Sequence, residues 1–135
     1  MGDAAELIMQ HEVLRVLTID LVQVARTIMT DGTGTLVSAA GRLAAALAEH
    51  QRLEDGVLAP MLLAGDRWSA LRVSEMLAVH RQEHDDFLAA LRLVSQHDEP
   101  SIDLEARVFE LAAGIYRHMD REEVEYLNTR VVDAG

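Results

Sequence analysis

The sequence predicts an all-α fold, an antiparallel up-down four-helix bundle, and three observations carry that expectation. Half of the residues are apolar but only 4% are aromatic, a balance that suits alanine- and leucine-rich helix packing better than a sheet. Three clusters of turn formers, at Asp31–Gly34, Ala64–Asp66 and His97–Pro100, divide the chain into four stretches of similar length. Within each stretch, core-type residues recur at alternating steps of four and three, the beat of a helix that buries one stripe. A chain of 135 residues is long enough for one domain with its own core, so residues 1–135 are read as a single domain.

The first helix is expected at about residues 4–30, opened by Asp3 with Glu6 three residues on, an acidic form of the capping box. Its stripe is Leu7, His11, Leu14, Thr18, Leu21, Ala25 and Ile28. The second, at about 35–63 with Thr35 as its cap candidate, carries Leu36, Ala40, Leu43, Leu47, His50, Glu54, Val57 and Met61. Pro60 falls near its end, where a kink or an early stop is tolerable. The third, at about 68–97, carries Val73, Leu77, His80, His84, Phe87, Leu91 and Val94. The fourth, at about 102–130 after a Ser101 cap, carries Leu104, Val108, Leu111, Ile115, His118, Glu122 and Tyr126.

Imidazoles and carboxylates thus stand in core slots of all four stripes. His50 and Glu54, His80 and His84, and His118 and Glu122 are each four residues apart, one above the other on a helix, while His11 stands alone. In an up-down bundle these groups fall roughly 12–24 Å from a common end, close enough to surround one cavity. A single such pair is ordinary in an acidic helical protein, where a surface ion pair explains it. Burying three pairs and a lone histidine together costs several kcal/mol per ion unless something cationic sits among them, which points to a metal site. His97, at a projected helix C-terminus, is left out of the set.

Ligand type narrows the ion. Seven groups exceed one tetrahedral zinc site, and calcium and magnesium prefer oxygen over a nitrogen-dominated set. Mixed imidazole and carboxylate suits iron, manganese or zinc, with two glutamates available to bridge a pair of ions. The carboxylate-rich di-iron bundles use Glu-x-x-His pairs, and no histidine here has a glutamate three residues before it. His80-x-x-Glu83-His84 matches an inverted zinc-peptidase string, but that reading leaves His11, His50, Glu54 and His118 unexplained.

The order lone histidine, His-x-x-x-Glu, His-x-x-x-His, His-x-x-x-Glu, with the strings HEVLRVL, HQRLEDGVLAPML and HMDREEVEYL, resembles the hemerythrin-like, or HHE cation-binding, family. The resemblance runs from about His11 to Tyr126 and is closest to the bacterial-type branch. It implies a four-helix bundle with a non-haem centre of two iron ions, oxo- or hydroxo-bridged. His80, His84 and His118 would hold one iron, His11 and His50 the other, and Glu54 and Glu122 would bridge them. The iron with two histidines would keep an open position for dioxygen, peroxide or nitric oxide. Oxygen carriers of the family place an aspartate five residues after the last histidine; here that position is Glu123. Helix geometry favours Glu122, with Glu123 the fallback if the helix widens locally. Tyr126, one turn beyond Glu122, is a weak candidate for a hydrogen bond into the site and no other catalytic residue is assigned.

Composition bounds the remaining classes. The net charge is −11 and all twelve basic residues are arginine, so no basic face for nucleic acid or an anionic membrane is expected. Without cysteine there is no disulfide, thiolate nucleophile or cysteine-held cluster. No leader pattern and no bilayer-length apolar run is visible, so a soluble cytoplasmic protein is expected. Three alternatives stay open: a catalase-like or nitric-oxide-processing di-iron enzyme, an iron storage or delivery protein, and a metal-free helical interaction module.

Overall fold

The computed structural model describes residues 2–64, 68–96 and 101–125, all of them in helices or the short turns between. Helix α1 spans Gly2–Arg26, α2 Ile28–Asp31, α3 Gly34–Ala64, α4 Ala70–Ser95 and α5 Ile102–Glu125. Each long helix borders two others: α1 packs on α3 and α5, and α4 packs on the same two. Along three of these four pairs, contacts occur in opposite chain order. Gln10 meets His50 while Asp20 meets Arg42, and Arg15 meets Asp120 while Arg26 stacks over Phe109. Similarly, His80 meets Glu122 while Phe87 meets Gly114.

The helix ends differ from the sequence expectation in instructive ways. The first stretch is broken at Thr27, whose backbone turns to φ −106° and ψ 14°. Its N–H and hydroxyl both donate to Val24 O, at 3.2 Å each, so the side chain competes with the helical ladder. Gly32, at φ 80°, then makes the turn into α3, a backbone region that favours glycine. Helix α3 starts at Gly34, one residue before Thr35, and α1 starts before Asp3, so neither of those residues is the cap. Ser69 caps α4 by accepting from Arg72 N at 3.1 Å, which moves that start from 68 to 70. Ser101 caps α5 through Leu104 N at 3.0 Å. His97, Pro100, Tyr126 and the projected end at 130 lie outside the described residues.

All seven stripe residues of the first stretch are buried, Leu7 through Ile28. In α3 the stripe departs after Glu54: Leu58 and Leu62 are buried, whereas Val57 and Met61 are half-buried. A straight helix of 3.6 residues per turn drifts against a strict 3.5-residue beat, and by the last turns the inward slot has moved on by one. The same drift makes Ala112 more buried than Leu111 in α5. Pro60 sits within α3, which continues to Ala64.

The apolar interior is in two pieces. The larger joins Leu14, Leu21, Leu36, Leu43, Leu91, Leu104, Ile115 and their neighbours. The smaller is Leu7, Leu58, Leu62, Val73 and Met76. Along α1, α3 and α4 the buried residues between these pieces are histidines and Glu54, and on α5 His118 and Glu122 lie beside Met119 at the edge of the larger piece. Among the described residues no helix is long and apolar enough to cross a membrane.

Candidate metal centre

Five imidazoles and two carboxylates meet in this middle layer, all buried: His11, His50, His80, His84, His118, Glu54 and Glu122. They form two groups, His80, His84, His118 and Glu122, and His11, His50, Glu54 and Glu122; in each, one ligand-type atom per residue lies within 4.8 Å of the others. Every imidazole presents Nε2 to the middle. His84 Nε2 is 3.1 Å from His118 Nε2, and His11 Nε2 is 3.2 Å from His50 Nε2.

Both carboxylates straddle the groups. Glu122 Oε1 lies 3.0 Å from His11 Nε2 and 3.6 Å from His50 Nε2, while its Oε2 lies 2.9 Å from His80 Nε2 and 3.4 Å from His118 Nε2. Glu54 Oε1 lies 2.5 Å from His50 Nε2, and its Oε2 contacts His80 Nε2 and lies 3.8 Å from His84 Nε2. Despite these approaches, Glu54 Oε1 and Glu122 Oε2 have no hydrogen-bond partner. Close approach without donation is the arrangement of groups aimed at a shared point, and buried unpaired oxygens are otherwise costly.

Two of the outward nitrogens are held separately. His50 Nδ1–H donates to Gln10 Oε1 and His118 Nδ1–H to Glu83 Oε2, each at 2.7 Å. Fixing Nδ1 as the protonated nitrogen leaves Nε2 with its lone pair toward the middle, the tautomer that a metal takes. Glu123 Oε2 lies 3.3 Å from His11 Nδ1, on the outer side, and is bound to Arg15, whose guanidinium also reaches Asp120 at 3.1 Å. The bond to Glu123, and then that to Asp120, raise the Arg15 pKa against the opposing effect of burial. Glu122 therefore belongs to both inner groups, whereas Glu123 is an outer contact.

Without a cation, protons compensate the charge. Burial disfavours protonation of His50, but the carboxylates of Glu122 and Glu54 outweigh it and raise its pKa to about 9. The same opposition raises His80 to about 10. His84 is pushed down to about 2, by burial first and then by the positive charges of His80, His118 and His50. Burial works against ionised Glu122, yet the imidazoles of His11, His118, His50 and His80 around it hold its carboxyl well below the usual carboxylate range. The layer is built to hold positive charge, and its donors, all imidazole nitrogen and carboxylate oxygen, fit a transition-metal site.

The sequence matches the family described as hemerythrin HHE cation binding domain over residues 3–129, nearly the whole chain. The chain belongs to this hemerythrin family. No curated protein and no solved structure matches it. The structure brings together all seven residues singled out from the sequence of this hemerythrin domain. Sequence reasoning missed Gln10, Arg15 and the role of Glu83. Each stands one residue before or after a stripe position, beside the seam, and only the offset of the neighbouring helix gives Gln10 and Glu83 a histidine to hold and Arg15 the carboxylates of Asp120 and Glu123. For Gln10 and Glu83, position beside a core histidine was the available signal.

Proposed function

We propose that this chain is a hemerythrin-like di-iron protein, a single-domain antiparallel up-down four-helix bundle that binds a small oxidising molecule: dioxygen, peroxide or nitric oxide. The observation supporting this most directly is that both buried carboxylates turn one oxygen to each histidine group. That geometry serves two ions sharing two carboxylates, and a single ion leaves half of the donors idle. In this reading His80, His84 and His118 hold one iron, His11 and His50 the other, and Glu54 and Glu122 bridge.

Bound iron supplies electrons and Lewis acidity to the small molecule. The protein supplies the rest. Gln10 and Glu83 fix the His50 and His118 rings, and the two apolar clusters exclude bulk water from either end of the layer. A low-dielectric surround of this kind strengthens the field of the two carboxylates on anything bound there.

Iron quantified per chain, together with the near-ultraviolet and visible spectrum of aerobically purified protein, tests the reading. About two irons per chain with a di-iron absorption band is the expected result. Absence of any stoichiometric transition metal after expression with iron overturns it. Rapid oxygen evolution on adding peroxide would identify turnover in place of carriage or sensing.

A further inference from the structure

The seven buried groups are not equally shielded. His11, His50, His84, Glu54 and Glu122 are at most 2% exposed, whereas His80 keeps 5% and His118 6%. That residual exposure faces an open cleft of about 290 Å³ between α4 and α5, with His80, His118 and Glu122 in its lining. Helices α4 and α5 are also the least tightly packed of the four neighbouring pairs. The opposite side of the layer is different. The depression over α1 and α3 reaches none of the seven groups, and Gln10, which lines it, is the residue that caps His50 Nδ1.

We propose that the α4–α5 cleft is the port through which small molecules exchange between solvent and the metal centre. Glu83 forms a wall of this port while holding His118, and Arg121, with NH1 3.5 Å from Glu83 Oε1, steadies it at the rim. A water takes about 30 Å³ of liquid, so a cleft of about 290 Å³ has room for roughly ten waters and readily admits a triatomic anion. The small exposed area of His80 and His118 stops anything much larger. Entry is thus beside the three-histidine group, with Glu122 the first shared carboxylate that an incoming molecule meets. The proposal rests on the metal-centre reading above.

Its test uses Val79→Trp and, separately, Glu75→Trp; both side chains line the cleft and are well exposed, so a ring there blocks the port and leaves the core intact. Val13→Trp, over the α1–α3 depression, is the control. In iron-loaded protein, stopped-flow binding of azide should slow roughly tenfold in the two cleft variants with its final amplitude unchanged, as expected for a gated site. In metal-free protein, deuterium exchange at the imidazole C2 positions in heavy water, mapped by peptide mass spectrometry, should be fastest at His80 and His118, the two most exposed of the five, and should slow there in the cleft variants alone. Wild-type rates in both cleft variants, or slowing by Val13→Trp instead, overturn the port. A wild-type protein with no azide-sensitive band refutes the metal reading, and the C2 exchange pattern then still decides the port.

Discussion

The two apolar clusters flanking the charged layer are built alike but are unequal. One unites side chains from α1 to α5, among them Leu21, Leu43, Leu91 and Leu104. The other has five buried residues, Leu7, Leu58, Leu62, Val73 and Met76. At about 25 cal/mol per Å² of apolar surface buried, the larger cluster supplies most of the folding drive. The smaller is joined to it only across a layer of ionisable groups. The difference teaches that one end of this protein is held by its own packing and the other by whatever occupies the layer between. Binding energy at such a site is folding energy.

The most severe way to break this comparison is to remove the metal. Amide exchange of the iron-loaded and chelator-treated protein is expected to show lost protection around Leu58–Leu62 and Val73–Met76, with Leu36–Leu43 and Leu104–Val108 still protected. Uniform loss, or no loss, refutes the division. Glu122→Ala should do nearly as much by genetics, because it takes a donor from both groups; iron per chain is expected to fall below one. Glu123→Ala should retain iron with affinity weakened about 10- to 100-fold, the usual effect of losing an outer contact. A Glu123→Ala protein devoid of iron while Glu122→Ala stays loaded reverses the assignment.

Leucine truncations give a finer measure. Leu43→Ala should cost about 2–5 kcal/mol with or without metal. Leu62→Ala should cost a similar amount in the loaded protein and much less in the stripped one, where its surroundings have already loosened. Denaturant unfolding of both variants in both states provides the four values needed.

Acidity provides a subtler test. His50 and His80, raised to about 9 and about 10, stabilise the metal-free fold fully below their unfolded value of 6.5 and lose that contribution as pH rises through their folded values. His84, lowered to about 2, and Glu122, also lowered, remove stability as pH falls below their unfolded values of 6.5 and 4.5. Thermal melting of the metal-free chain should therefore peak at about pH 6–7. The decline on the alkaline side should vanish in the loaded protein, and metal uptake near pH 7.5 should release about two protons. A metal-free profile flat to pH 10 contradicts the proton-for-cation exchange. The mildest expected change is Gly41→Ala, where an added Cβ meets nothing within 4 Å; it should stabilise both states by up to ~1 kcal/mol.

What was readable in the sequence divides along physical lines. The charged layer was legible because its members sit on the stripe, where a step of four keeps side chains on one face whatever the neighbours do. The entire first stripe from Leu7 to Ile28 was legible for the same reason. The exchange of Val57 and Met61 for Leu58 and Leu62 was not, because small drifts of phase accumulate over a helix of 31 residues. Nor was the break at Thr27, where a local hydroxyl bond to Val24 O overrides a stripe that continues through it. Gln10 and Glu83 were hidden for a third reason, since their partners are 40 and 35 residues distant and depend on how helices sit side by side.

Glu122 carries one last consequence. Its Oε1 and Oε2 face different histidine groups, so in the proposed two-iron centre the ions would not load as strangers. The first to arrive would order the carboxylate that the second needs, and the second would then bind a site whose entropy loss has already been met. Loading should be cooperative, with half-filled chains scarce at any iron level. A cell that runs short of iron would hold a mixture of full and empty molecules, each with its own stability, in place of a uniform population carrying one ion each.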